Sequence, residues 1–236
     1  MKVYKATNVG LVRETNEDSL IEIPPATYIV ADGMGGHAAG EVASQLLIQT
    51  AQDCMQQCGA ACDEACLVNI ILRANKAILK EADRHPQYAG MGTTATLFHR
   101  EGENGCWAHV GDSRLYLLRD SALQQVTRDH SLVEDLVQNG SITEEQARSH
   151  PRRNVLTRAV GVDAEVEVDK GVLPLRGGDH LLLCTDGLTN MLTDERICEI
   201  LQDASIGDKA DALVNEAIKA GGLDNITAIV VEYDEN

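Results

Sequence analysis

Aromatic residues are scarce: one Phe, one Trp and five Tyr make up 3% of 236 residues. The core must therefore be built mostly from Leu, Ile, Val and Ala, and few rings are available to stack nucleic-acid bases. Positive charge is also short. Twenty Lys and Arg stand against 37 Asp and Glu, a formal charge of −17. That balance repels phosphate backbones and anionic membrane surfaces. No apolar run approaches the ~20 residues that span a bilayer, and residues 1–10 lack the apolar stretch of a secretory signal. The expectation is a cytoplasmic protein that binds neither nucleic acid nor membrane. The five prolines are scattered, and no linker, low-complexity tract or repeat divides the chain, so one domain over residues 1–236 is expected. Seven cysteines are an odd number in a chain large enough to fold without staples, which fits reduced thiols.

Missing motifs exclude further chemistries. There is no Gly-Lys-Ser/Thr phosphate loop, no Cys with an Arg six positions on, and no Asp-x-Asp. His-Glu-x-x-His and Gly-x-Ser-x-Gly are absent too. Gly33-Met34-Gly35-Gly36-His37-Ala38 does fit the dinucleotide-binding pattern Gly-x-Gly-x-x-Ala. Asp32 would then sit beside a pyrophosphate with the wrong charge, and the expected second strand with its acid is missing, so that reading is disfavoured.

Apolar periodicity predicts strands over 2–8, 19–23 and 27–31, then helices over 37–57 and 63–84. Short strands follow over 94–99, 105–110, 114–118 and 123–126. Residues 131–158 are polar with short helical pieces. Strands return over 164–172 and 180–184, helices over 194–202 and 209–220, and a last strand over 226–233. Paired helices set apart from runs of strands give an α+β layered fold.

Three aspartates stand where an apolar strand meets a turn: Asp32 before Gly33, Asp186 before Gly187, and Asp224 before Asn225. Each alone could merely make a turn. Together, in an acidic chain with no Lys nearby in sequence, they suggest a hard divalent cation on oxygen ligands, Mg²⁺ or Mn²⁺. Arg13 lies close to Glu17 and Asp18 and could grip a phosphoryl group bidentately. Cys54, Cys58, Cys62 and Cys66 repeat every four residues. They lack close Cys-x-x-Cys pairs, so packing or redox-sensitive thiols are a better reading than a zinc site.

Six ordered segments carry a resemblance: Arg13-x-x-Asn16-Glu17-Asp18, Val30-Ala31-Asp32-Gly33-Met34-Gly35-Gly36-His37, Met91-Gly92-Thr93-Thr94-Ala95, Val110-Gly111-Asp112-Ser113-Arg114-Leu115-Tyr116, Cys184-Thr185-Asp186-Gly187 and Asp224-Asn225. This series, spread over residues 9–232, resembles the metal-dependent PP2C-type serine/threonine protein phosphatases, in their bacterial branch. The resemblance implies a four-layer α/β/β/α sandwich, two central antiparallel sheets flanked by helix pairs. It implies two core Mn²⁺ or Mg²⁺ ions. Asp32 would bridge them, with the Gly33 carbonyl on one. Asp18 would lie on one side, Asp186 and Asp224 on the other, and Glu17 would hold metal-bound waters. Asp112 resembles the acid that, with Asp186, binds a third, weaker ion, and Arg13 the phosphate-binding arginine. The implied activity is hydrolysis of phosphoserine and phosphothreonine in proteins by a metal-activated water, with no covalent intermediate.

Phosphorylated proteins and a cognate serine/threonine kinase are the implied partners, in signalling, for a monomeric enzyme. The alternatives are a catalytically weak phosphoprotein-binding scaffold or a small-molecule phosphatase on the same fold. Where some eukaryotic members carry a catalytic histidine, this chain has Met34. His37 is then a candidate general acid, against a helix-capping role or a proton delivered by metal-bound water. Residues 131–160 correspond to the variable flap and hold a basic patch of Arg148, His150, Arg152, Arg153 and Arg158. That patch either neutralises nearby acids or guides anionic phosphopeptides.

Overall fold

Period-two alternation sorts each strand into two faces, and in the computed structural model both faces are covered. The structure describes residues 1–36, 39–58 and 62–234. One sheet runs in the order β1 (Lys2–Asn8), β11 (Ile226–Tyr233), β10 (Asp179–Cys184), β7 (Arg114–Arg119), β8 (Ala122–Gln125). The other runs β2 (Asp18–Ile23), β3 (Thr27–Met34), β5 (Ala95–Glu101), β6 (Asn104–Val110), β9 (Asp169–Pro174), with the short β4 (Gly92–Thr93) paired to the end of β3. The pairings are antiparallel. Tyr28 and Val30 of β3 pack inward against Leu115, Leu117, Leu181, Leu183, Ile229 and Val231 of the facing sheet. The intervening Ile29 and Ala31 point to the opposite side. This is the four-layer α+β sandwich that the resemblance implies.

The outer layers are helix pairs. Helix α1 (Ala39–Cys58) buries Ala43, Leu47, Ala51 and Cys54, one stripe at helical spacing. Helix α2 (Glu64–Arg84) starts where the Asp63 carboxylate accepts the Cys66 N–H, and buries Leu67, Ile70, Ile71, Ala74 and Ile78. Both pack on the β3 sheet through one continuous core. The short α3 (Leu132–Gln138) and α4 (Glu144–Arg148) form the polar excursion, and α5 (Asp186–Thr189) is a single turn after β10. Helices α6 (Asp194–Gln202) and α7 (Lys209–Lys219) cover the other sheet, burying Ile197, Ile200, Leu201, Leu213 and Val214 against Tyr116, Leu182 and Val230.

Several expectations need correction. Strand β3 does not end at residue 31; it continues through Asp32 and Gly33 to Met34, because Gly33 and Met34 pair with Thr93 and Gly92. The strand expected over 164–172 begins only at Asp169, since pairing with β6 starts at His109 opposite Asp169. Antiparallel neighbours on both sides of β3 also rule out the parallel β-α-β unit that a dinucleotide site requires.

Candidate metal-dependent active site

The acids are the polar end of the layer between the sheets. Asp32 follows Tyr28 and Val30 on the same face of β3, and Asp18 stands directly opposite it across the β2–β3 pair. The Asp18 carboxylate reaches the other sheet: its Oδ2 accepts from Thr185 Oγ1 at 2.8 Å and from Thr227 Oγ1 at 2.6 Å. Its other oxygen, Oδ1, is buried with no hydrogen-bond partner. Arg13, Glu17, Asp32, Gly33, Asp112, Asp186 and Asp224 all line one cavity of about 480 Å³. Tertiary structure thus gathers the sequence-predicted residues from both sheets at one end of the sandwich. His37 lies outside the described residues.

The quoted motifs acquire physical reasons. Thr93 and Thr94 lock the backbone of Asp32. Thr94 N–H and Thr93 Oγ1 both donate to the Asp32 carbonyl at 2.9 Å, and the Asp32 N–H donates to Thr94 Oγ1 at 2.9 Å. A Cβ on Gly33 would lie 2.1 Å from the Gly40 carbonyl oxygen, so β3 and the start of α1 meet backbone to backbone. Asn225 ties the N-terminal loop to β11: its amide donates to the Val9 and Thr15 carbonyls, and its Oδ1 accepts the Glu17 N–H at 2.8 Å. Arg13 is thereby held at the cavity, where its guanidinium pairs with Asp224 Oδ2 at 2.8 Å.

Electrostatics set this cluster apart. Burial, then the neighbouring aspartates, pushes Asp32 well above the ordinary carboxylate range. Asp112 is raised well above it by burial and by Asp186. Burial raises Asp18 to about 7 against its two threonine donors. Asp186 is raised by burial and Asp224, while hydrogen bonds to Asp32 and Asn190 pull it back. Glu17 is raised by burial, with Arg13 opposing. Among the described residues no three acidic, histidine or cysteine side chains already close tightly enough to cage an ion. An all-oxygen donor set, repelling carboxylates and an unsatisfied buried oxygen together fit hard divalent cations.

Some participants escaped the sequence reading. Thr185 and Thr227 anchor Asp18, and a buried Thr at a strand end was the only signal available. His130, also buried, clamps Gly111 from both sides: its N–H donates to the Gly111 carbonyl at 2.7 Å and its Nδ1 accepts the Gly111 N–H at 3.1 Å. With Nδ1 accepting, Nε2 carries the proton and faces Asp169 Oδ2 at 3.2 Å. Arg158 Nη1 donates to Asp169 Oδ1 at 2.9 Å and lines the cavity. The remaining basic patch divides: Arg148 and Arg153 line an adjoining groove of about 600 Å³ that shares Asp112, Asn154 and Asp186 with the cavity. Of the spaced cysteines, Cys54 and Cys62 are buried and Cys66 is half-buried; the side chain of Cys58 lies outside the described residues.

Comparison with known proteins agrees with this geometry. Residues 15–216 match the family profile Protein phosphatase 2C. The chain belongs to that family. It is 42% identical to the serine/threonine phosphatase stp of Listeria monocytogenes, across 97% of this chain and 94% of that protein. The crystal structure of the Mycobacterium tuberculosis serine/threonine phosphatase PstP/Ppp superposes with a TM-score of 0.93 at 40% identity, covering 99% of each chain. A catalytic domain of PstP in complex with two manganese ions superposes with a TM-score of 0.91 at 38% identity, covering 99% of this chain and 98% of that one.

Proposed function

We propose that this protein phosphatase hydrolyses phosphoserine and phosphothreonine in proteins with Mn²⁺ or Mg²⁺ held by its aspartates. The observation that carries the reading is the meeting of Asp32, Asp186 and Asp224, from both sheets, at one cavity, with Asp18 paired to Asp32 and holding a buried oxygen that lacks any protein donor. Asp18, Asp32, the Gly33 carbonyl, Asp186 and Asp224 would hold two core ions. Asp112 and Asp186 would hold a third, and Glu17 would orient water. When bound, the ions supply charge that acidifies a water and offsets the phosphoryl oxygens. Arg13, on the exposed side of its pair with Asp224, turns its fork to the phosphoryl group and fixes it for in-line attack. Water adds to phosphorus and the seryl or threonyl oxygen leaves with a proton.

No enzyme nucleophile enters this reading. Cys184, the cysteine nearest the acids in sequence, faces the α6–α7 core, and burial pushes its thiol up to about 12. The test is phosphate release from a phosphothreonine peptide and from p-nitrophenyl phosphate as Mn²⁺ or Mg²⁺ is added. Asp32→Asn and Asp186→Asn should each remove turnover and weaken Mn²⁺ binding measured by calorimetry, with the circular dichroism spectrum unchanged. Near-normal turnover of either variant at saturating Mn²⁺ would refute the assignment. Wild-type protein that binds phosphopeptide without turning it over would favour the scaffold reading.

A further inference from the structure

The cavity is rich in acids, but the segments that form it also carry exposed apolar side chains. Eight large apolar side chains are exposed among the described residues. Five of them, Leu11, Val12, Val155, Val162 and Leu223, lie within two positions of a residue that lines this cavity, Val162 lining it directly and Leu223 lining the adjoining groove. Leu11 and Val12 precede Arg13, and Leu223 precedes Asp224. Leu11 and Leu223 are held at the same turn: the Leu11 N–H donates to the Gly222 carbonyl at 2.7 Å, and the Leu11 side chain rests over Gly222, where a Cβ would come within 3.2 Å of it. In the 154–163 segment Val162 lines the cavity beside Met34, and Val155 sits between the lining residues Asn154 and Leu156.

Scattered single apolar residues on a surface need no explanation, but five around one opening do. Leu11 and Val12 are 67% and 62% exposed in a chain of charge −17. We propose that this collar is a specificity surface. It takes large apolar side chains immediately flanking the phosphoserine or phosphothreonine of a protein substrate. The inference rests on the phosphatase reading above and names the substrate sequence that the same site prefers. Continuity assigns the occupant, because each half of the collar adjoins a segment that reaches the phosphate site. Charge points the same way. Acidic flanks would be repelled by the chain as a whole, and a second copy of the chain would bring a further −17. Burying a half-exposed Leu or Val against such a flank is on the order of a tenfold preference.

The test compares kcat/KM on two phosphothreonine peptides that differ only at the flanking positions, Leu in one and Asp in the other, with p-nitrophenyl phosphate as the flank-free control. Wild type should prefer the Leu peptide by about tenfold or more. Leu11→Ser/Leu223→Ser should lose most of that preference and keep its rate on p-nitrophenyl phosphate. Val155→Ser, in the other segment of the collar, should lose part of it. If the double variant also slows on p-nitrophenyl phosphate, Val155→Ser alone decides the matter. Equal use of both peptides by wild type, or a preference that survives in the variants, overturns the proposal. So does a wild-type dimer in sedimentation that Leu11→Ser/Leu223→Ser splits, which would make the collar a contact between copies. Wild type inactive on both peptides and on p-nitrophenyl phosphate would instead overturn the phosphatase reading itself.

Discussion

In the proposed reaction Arg13 serves two partners. Its guanidinium pairs with Asp224 at 2.8 Å while its side chain remains 53% exposed. An exposed pair of this kind adds little to stability, within about 1 kcal/mol, so the fork is free to exchange a carboxylate for a phosphoryl group. Arg13→Ala should therefore leave the melting temperature nearly unchanged and raise KM for phosphopeptides. A charge-assisted contact of roughly 1.5–3 kcal/mol corresponds to about tenfold to a hundredfold. Arg13→Lys should recover only part, because a point charge does not replace the planar fork. Wild-type KM in both variants would show that the residue only neutralises Asp224. Asp224 and Asp186 were legible as candidates because each stands beside a turn former at the end of an apolar run. The threonines that anchor Asp18 were not, since a hydroxyl's partner is chosen by the fold.

At the scale of elements, loops bring together what strands alone would leave apart. The β6–β7 connection holds Gly111 and Asp112. The segment after β8 supplies His130, β9 begins with Asp169, and the return of the polar excursion carries Arg158. Hydrogen bonds join these four segments in series, from Arg158 to Asp169, His130 and Gly111. Asp169 fixes the His130 tautomer that accepts the Gly111 N–H. Asp169→Asn would let its amide donate to Nε2, move the ring proton to Nδ1 and set two donors against each other at Gly111. Losing that hydrogen bond, about 1 kcal/mol, should lower kcat roughly fivefold with KM little changed. The same substitution in an Asp112→Ala background should cost nothing further if the network acts through Asp112. Additive losses in the double variant would show that it does not.

At the scale of the whole molecule, three histidines, His99, His109 and His130, are buried, and burial lowers the pKa of each. His109 stacks over His130 at 4.9 Å between ring centroids, and burial holds its pKa down at about 4. The unfolded chain takes up a proton near pH 6.5 that the folded chain refuses until about pH 4. Stability from this group is therefore present above pH 6.5 and lost as pH falls toward 4. Between pH 7 and 5 the loss amounts to about 2 kcal/mol. His109→Gln should start less stable at pH 7, because the ring packing is lost, yet fall by about 2 kcal/mol less over that interval in urea unfolding. Parallel pH profiles for the two proteins would remove His109 from the account.

The amino-acid sequence by itself determined the layers. Alternating apolar positions in the strands, helical stripes such as 43, 47, 51 and 54, and Asp63 before a helix start are local signals, because they reflect burial of neighbours along the chain. Element boundaries near the site were not local. Strand β3 runs on to Met34 only because Gly92 and Thr93 arrive to pair with it, and β9 starts late because His109 sets its register. The ordered motifs named the acids; the tertiary structure alone decided that Asp18 reaches across the sheets to Thr185 and Thr227, and that Asn225 pins the loop carrying Arg13 and Glu17. It also decided that the segments carrying five exposed apolar side chains meet at one cavity. Those relations join residues up to 216 positions apart, and no period in a sequence encodes a contact of that span.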